Sequence, residues 1–343
     1  MRTLKLLCLI IVAAILSDTH YAPAAAPLRA ISASGTAAKE HDPAAEPVKL
    51  IYALPVAVPS AVAYLAIEKG FFRDAGLDVE AKMFSSGREA LVALLAGQAQ
   101  IQTVSETPVV HAIIQGNNIM TVATIAVHSE AKLIVRKDHG ISKPQDLIGK
   151  RVATYPGTNS DYFMYEFFRE NKIPLNQVKV TNMEPPEMVV AFVKGDIDAY
   201  FAWEPHIYYG RKHLADKSVV FYPGELYRGW SMVNMDPEFV RKNPETVRKI
   251  IRAFLKTEEF IAGHPKEAMR LTAKWLKIDE ELLKALWKNI VFKVELDRKL
   301  PEMMRKQGLW ALDLTKSKKP LPDFRKFIYD KALNKEKPSA VRF

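Results

Sequence analysis

Two short stretches carry most of the chemistry this chain offers. Ser85-Ser86-Gly87 and Gly157-Thr158-Asn159-Ser160 are helix starts rich in hydroxyls and glycine. The first turn of a helix leaves backbone N–H groups without partners and presents the positive end of the dipole, so such starts suit an anion or a polar solute. Plain N-capping by the same hydroxyls is the competing reading for each. Ser60 stands before another helix as a candidate cap. Trp203-Glu204-Pro205 follows a strand: Trp203 could wall a pocket and stack on a ligand, or pack in the core. Glu204 could accept from an amine or hold a neighbouring loop by its N–H groups. Ser105-Glu106-Thr107-Pro108 is the counterpart segment, and the equivalence of Glu106 and Glu204 favours a structural role for both. Arg88 sits at a helix start, where a cation opposes the dipole, which makes it a mild anion-ligand candidate against a solvated side chain. In Tyr227-Arg228-Gly229-Trp230, Arg228 and Trp230 could reach a cleft. His128 and Glu130 read as a solvated loop pair rather than a metal site. The candidate ligand-binding residues are therefore Ser60, Ser85, Ser86, Glu106, Thr107, Thr158, Asn159, Ser160, Trp203, Glu204 and Arg228.

Catalytic patterns are missing. The chain has no G-x-x-x-x-G-K-[ST] or G-x-G-x-x-G phosphate loop, no H-E-x-x-H, no G-x-S-x-G elbow and no cysteine pair with zinc spacing. Its one cysteine, Cys8, lies in the N-terminal apolar segment. No catalytic residue, metal or cofactor is expected; the alternatives are an enzyme, a lyase or hydrolase using Glu106 or Glu204, and a ligand-sensing partner of a membrane receptor.

The elements that must position these residues form a repeat. Phe71-Phe72-Arg73-Asp74-Ala75-Gly76-Leu77, Ala93 to Ile101 and Ser105 to Pro108 are answered by Phe167 to Ile173, Ala191 to Ala199 and Trp203 to Pro205. In each copy the glutamate follows a glycine, Gly97 or Gly195, by nine positions. Each copy reads as strand, helix, strand, helix, strand. The first runs Lys49–Leu54, Ala61–Phe72, Val79–Phe84, Ser85–Leu95 and Ile101–Ser105; the second starts at Arg151–Thr154 and ends at Ile197–Ala202. Alternating strands and helices imply parallel sheets with right-handed crossovers. The fold class is α/β, with two lobes, each a mostly parallel sheet flanked by helices, hinged about a cleft. Ligands in such sheets bind beyond the carboxyl ends of the strands. That selects five loops: Pro55 to Ala61, Ser85 to Arg88, Ser105 to Pro108, Tyr155 to Asp161 and Trp203 to His206. Helices from Pro237 to about Leu286 return to the first lobe. Residues 48–137 with 226–333 are expected to form lobe 1, 138–225 lobe 2, and 334–343 a polar, frayed tail.

At 48% hydrophobic and 26% charged, the chain of 343 residues has the balance of a globular protein large enough for two cores. The net charge of +10 is compatible with nucleic acid, an anionic surface or an anionic solute. The cations are dispersed among acids with no interleaved aromatics, which argues against nucleic acid. Arg2 and Lys5, the apolar run Leu6 to Leu16 and the small residues Ala22 to Ala26 make residues 1–26 a signal peptide, with an uncleaved anchor as the alternative. Residues 27–47 read as a disordered leader. The protein is thus expected in the periplasm, as a monomer.

These motifs resemble the substrate-binding proteins of nitrate, sulfonate, taurine and bicarbonate ABC importers, including the group named after a fungal thiamine-precursor synthase. The resemblance rests on Ala66-Ile67-Glu68-Lys69-Gly70-Phe71-Phe72, Ala96-Gly97, Ser105 to Pro108, Leu147 to Ala153, Pro156-Gly157-Thr158, and Gly195 to Ala199 with Trp203-Glu204-Pro205. It covers about residues 48–290. It implies a type II periplasmic-binding fold, a small-molecule solute held between lobes and an ABC permease as partner. The synthase's cysteine-rich stretch has no match here.

Overall fold

The computed structural model describes residues 46–224 and 226–343. The signal peptide expected over residues 1–26 and the leader as far as residue 45 lie outside them. Twelve strands are described: β1 (Val48–Pro55), β2 (Leu77–Phe84), β3 (Ile101–Ser105), β4 (Met120–His128), β5 (Lys132–Arg136), β6 (Arg151–Thr154), β7 (Lys179–Asn182), β8 (Ala199–Ala202), β9 (Ser218–Phe221), β10 (Gly229–Met235), β11 (Ile290–Asp297) and β12 (Val341–Arg342). They form a seven-stranded sheet in the order β12-β11-β4-β10-β3-β1-β2 and a five-stranded sheet in the order β7-β6-β8-β5-β9.

The repeat is visible in the pairing. β1 lies parallel between β2 and β3, and β6 lies parallel between β7 and β8. Each triplet is then extended by an antiparallel strand that comes from the other side of a crossing: β10 beside β3, and β5 beside β8. The central position of β1 explains its composition. Tyr52, Ala53 and Leu54 are fully buried, as a strand covered on both faces requires.

In lobe 1 the first copy supplies α1 (Ala61–Glu68), α2 (Phe71–Asp74), α3 (Gly87–Leu95) and α4 (Glu106–Ile114). In lobe 2 the second copy supplies α5 (Asn159–Glu170), α6 (Pro185–Lys194) and α7 (His206–Leu214). Then come α8 (Pro237–Lys242), α9 (Pro244–Gly263), α10 (Pro265–Leu276), α11 (Glu280–Trp287), α12 (Lys299–Leu314) and α13 (Lys331–Glu336). In α9, Val247, Ile250, Ile251 and Phe254 recur at helical spacing and are all fully buried. Phe254 meets Phe72 and Tyr52 edge to face, at 5.5 and 6.3 Å between ring centres. Burying each such side chain contributes roughly 1.5–3 kcal/mol, so α9 fixes α1 and α2 to the first sheet.

The structure corrects several expectations. Strand β5 was assigned with lobe 1, but it pairs with β8 and β9, so the chain enters the second sheet at Lys132 and not after residue 137. The helix expected over Ala61–Phe72 breaks at Gly70, which adopts φ 74°. Residues 334–343 are not a frayed tail. Glu336 accepts from Arg248 and Arg252, Ala340 is buried, and β12 adds to the edge of the first sheet beside β11. Charge pairing thus docks this segment together with Ala340 and Val341, which pack on the lobe 1 core. Helix α12 belongs to both lobes: Trp310 lies 5.4 Å from the ring of His111 in α4 and 5.2 Å from that of Tyr162 in α5.

Candidate functional site

A cavity of about 40 Å³ lies between the two sheets, and every one of the five strand-end loops contributes to its wall. Lobe 1 gives Pro55, Ala57, Pro59 and Ser60, then Gly87 and Arg88, then Ser105 and Pro108; lobe 2 gives Thr158, Asn159 and Trp203. The two crossings complete it with His128, Glu130 and Ser231. Parallel triplets place their carboxyl ends at one edge of each sheet, and these edges face one another.

Local bonding explains the two helix starts. Ser86 caps α3 by accepting from the Glu89 N–H at 3.2 Å, and Glu89 folds back to take the Ser85 N–H and hydroxyl. At α5, the Thr158 hydroxyl donates to the Tyr155 carbonyl at 2.6 Å and lies 2.9 Å from the Ser160 hydroxyl. Asp161 accepts from the Gly157 N–H at 2.9 Å. Burial pushes the Asp161 carboxyl up to about 6, while the Gly157 N–H and Arg88 pull against that shift. Both starts therefore carry a carboxylate in their third position that already answers part of the dipole.

Of the residues selected from sequence, Ser60, Thr158, Asn159 and Trp203 line the cavity. Ser85, Ser86 and Ser160 do not line it; their hydroxyls are used within the helix starts. Thr107 is buried beside the cavity wall without lining it, and Arg228 is exposed and off the wall. Trp230 packs in the lobe 1 core. Glu106 and Glu204 are buried structural acceptors. Glu106 takes the Tyr227 hydroxyl at 2.6 Å, the Gln307 amide at 2.7 Å and the Trp230 N–H at 2.9 Å. Glu204 takes the Lys132 ammonium at 2.6 Å and the Tyr208 N–H at 2.9 Å.

His128 and Glu130 are the residues that sequence reasoning placed wrongly. They are not a solvated pair: His128 is 2% exposed and Glu130 5%, and both line the cavity. Neither ring nitrogen of His128, nor Oε1 of Glu130, has a hydrogen-bond partner among the described residues. An unpaired polar group at such depth costs roughly 1–3 kcal/mol, so most proteins leave few of them. Burial holds the His128 imidazole down to about 3, so the ring is neutral. Burial pushes the Glu130 carboxyl well up; Lys132 pulls it back and Glu204 pushes it further. Close backbone approach makes room here: a Cβ on Gly229 would lie 2.8 Å from the His128 ring and 2.6 Å from the Tyr227 hydroxyl. Among the described residues no group of three or more His, Cys, Asp or Glu side chains converges as a metal set.

Arg88 reaches across the mouth from α3. Its Nη1 donates to the Pro156 carbonyl at 3.0 Å, and its guanidinium stands 5.1 Å from the centre of the Tyr155 ring, both in lobe 2.

Two duplicated α/β lobes, two crossings and a cavity walled from both sides define the class of the two-lobed periplasmic-type solute-binding proteins. The chain belongs to the NMT1/THI5 like family, whose sequence pattern matches residues 59–268. It is 28% identical over 221 residues to the taurine-binding periplasmic protein of Escherichia coli K12; the match spans 62% of this chain and 65% of that protein. Its fold is similar to the alkanesulfonate-binding protein SsuA from Xanthomonas axonopodis pv. citri bound to MOPS, with a TM-score of 0.73 and 15% identity, covering 84% of this chain and all of that one (100%). The desulfurization enzyme DSZB shares the fold too, at a TM-score of 0.63 and 14% identity over 85% of this chain and 99% of that one.

Proposed function

We propose that this protein is the extracytoplasmic solute-binding component of an ABC importer, a monomer that captures a small polar solute between its lobes in the periplasm and presents it to a membrane permease. One observation carries the reading: a cavity walled by the strand-end loops of both lobes. A solute touching both lobes favours closure by its differential affinity for that state, and a permease can then distinguish loaded from empty protein. The family membership and the binding-protein relatives support a carrier rather than an enzyme.

The test is a thermal-shift panel of sulfonates, nitrate, bicarbonate, carboxylates and pyrimidines on the secreted protein. A ligand specific to the native state at a hundredfold its Kd adds about 2.7 kcal/mol of stability. Trp203→Ala, which removes a cavity wall, is expected to weaken binding of the compound found while the fold persists. A panel without any shift, or turnover of a bound compound, tells against the carrier reading.

A further inference from the structure

We propose that the solute carries an N–H donor group, an amine or ammonium, and that Glu130, with neutral His128 beside it on the wall, is its acceptor and determines specificity; this rests on the carrier reading above.

Glu130 Oε1 is buried on the cavity wall with no partner among the described residues. Lys132, whose charge acts on Glu130, is already committed to Glu204 at 2.6 Å. The donors at the two helix starts do not reach Glu130; they are shared with Glu89 and Asp161. A buried carboxyl oxygen left so, in a site that closes around a guest, is complemented by a donor the guest brings.

The same geometry disfavours a bare oxyanion. Such a guest brings no donor for Glu130 Oε1, which would stay without a partner. Arg88 is the cation on the wall, and it stands at the mouth. A compact zwitterion supplies both: its nitrogen meets Glu130 and His128, and its anionic end meets Arg88 at the mouth. His128, neutral, offers one donor and one acceptor and adds no charge against the nitrogen. Size agrees, because about 40 Å³ admits only a small guest.

Calorimetric titration of the secreted protein with matched pairs tests this: 2-aminoethanesulfonate against ethanesulfonate, and 3-aminopropanoate against propanoate. In at least one pair the amine-bearing member is expected to bind tenfold or more tightly than its partner. Glu130→Gln is expected to abolish that preference, weakening the amine-bearing member at least tenfold and its partner little; His128→Gln, a second variant, is expected to weaken the same member. Equal or tighter binding of the amine-free members overturns the inference, as does a preference that survives Glu130→Gln, the result expected if Glu130 is merely hydrated. Binding by none of the four overturns it as well. The carrier reading itself falls only if the wider thermal-shift panel also yields no ligand.

Discussion

Glu106 and Glu204 occupy equivalent positions just past the third strand of each repeat, and each grips one of the two crossings between lobes. Glu106 in lobe 1 holds Tyr227 and Trp230, where the chain arrives back in the first sheet. Glu204 in lobe 2 holds Lys132, the first residue of β5, where the chain arrives in the second. Each crossing is thus pinned at its arrival end by the lobe it enters. That leaves residues 129–131, Glu130 among them, between the end of β4 and the pinned start of β5.

The Lys132–Glu204 pair is buried, with side chains 4% and 6% exposed. Removing one partner of such a pair leaves an uncompensated charge and costs about 3–5 kcal/mol. Glu204→Ala is therefore expected to lower stability in urea by about that amount, and Lys132→Met added to it to recover most of the loss. A loss under about 1 kcal/mol in the single variant would mean that the pair is not anchored as described.

Arg88 joins the lobes across the mouth through Pro156 and Tyr155. Arg88→Ala is expected to raise the open population of the ligand-free protein, seen as a larger radius of gyration by small-angle scattering, and to weaken ligand binding several-fold. An unchanged scattering profile would show that closure does not depend on this contact.

Gly87 allows α3 to begin against β3. A Cβ there would lie 2.4 Å from Val104 Cγ2 and 3.3 Å from its Cα, so Gly87→Ala must push the helix start off the strand. Overpacking of this kind costs about 1–3 kcal/mol. The expected result is a lower denaturation midpoint together with weakened ligand binding, since Gly87 and Arg88 both wall the cavity. Wild-type affinity in this variant would sever the link between helix placement and binding.

The parallel triplets were legible because each apolar strand precedes a helix closed by a glycine, Gly97 or Gly195, and the order recurs. β4 was missed although Met120–Val127 is apolar apart from Thr121 and Thr124, because the repeat supplied no counterpart for it. β11 was missed because it begins just past the helical stretch read to about Leu286, where no element was assigned. Among the site residues, loop positions were readable but bonding was not. Whether Ser86 caps its own helix or meets a guest depends on Glu89 folding back. The burial of His128 and Glu130 depends on two lobes meeting, which no local pattern encodes.

His206 offers a pH test separate from the cavity wall. It starts α7, its ring edge meets Trp203 at 5.9 Å between ring centres, and its buried Nε2 has no partner among the described residues. Burial lowers its pKa to about 4, against about 6.5 when unfolded. Between those values the unfolded chain takes a proton that the native state refuses. This group's effect is therefore absent above about pH 6.5, and it destabilises the fold progressively as pH falls towards 4, by at most about 1.4 kcal/mol per pH unit. Asp161 acts in the opposite direction: its raised pKa of about 6 makes the native state the better proton acceptor, so its contribution favours the fold as pH falls. Because the two oppose each other, the readout is a difference. His206→Gln is expected to lose less stability than the wild type between pH 7 and pH 5, in parallel urea melts. Parallel pH profiles for the two proteins would show that the imidazole is protonated, or solvated, in the native state.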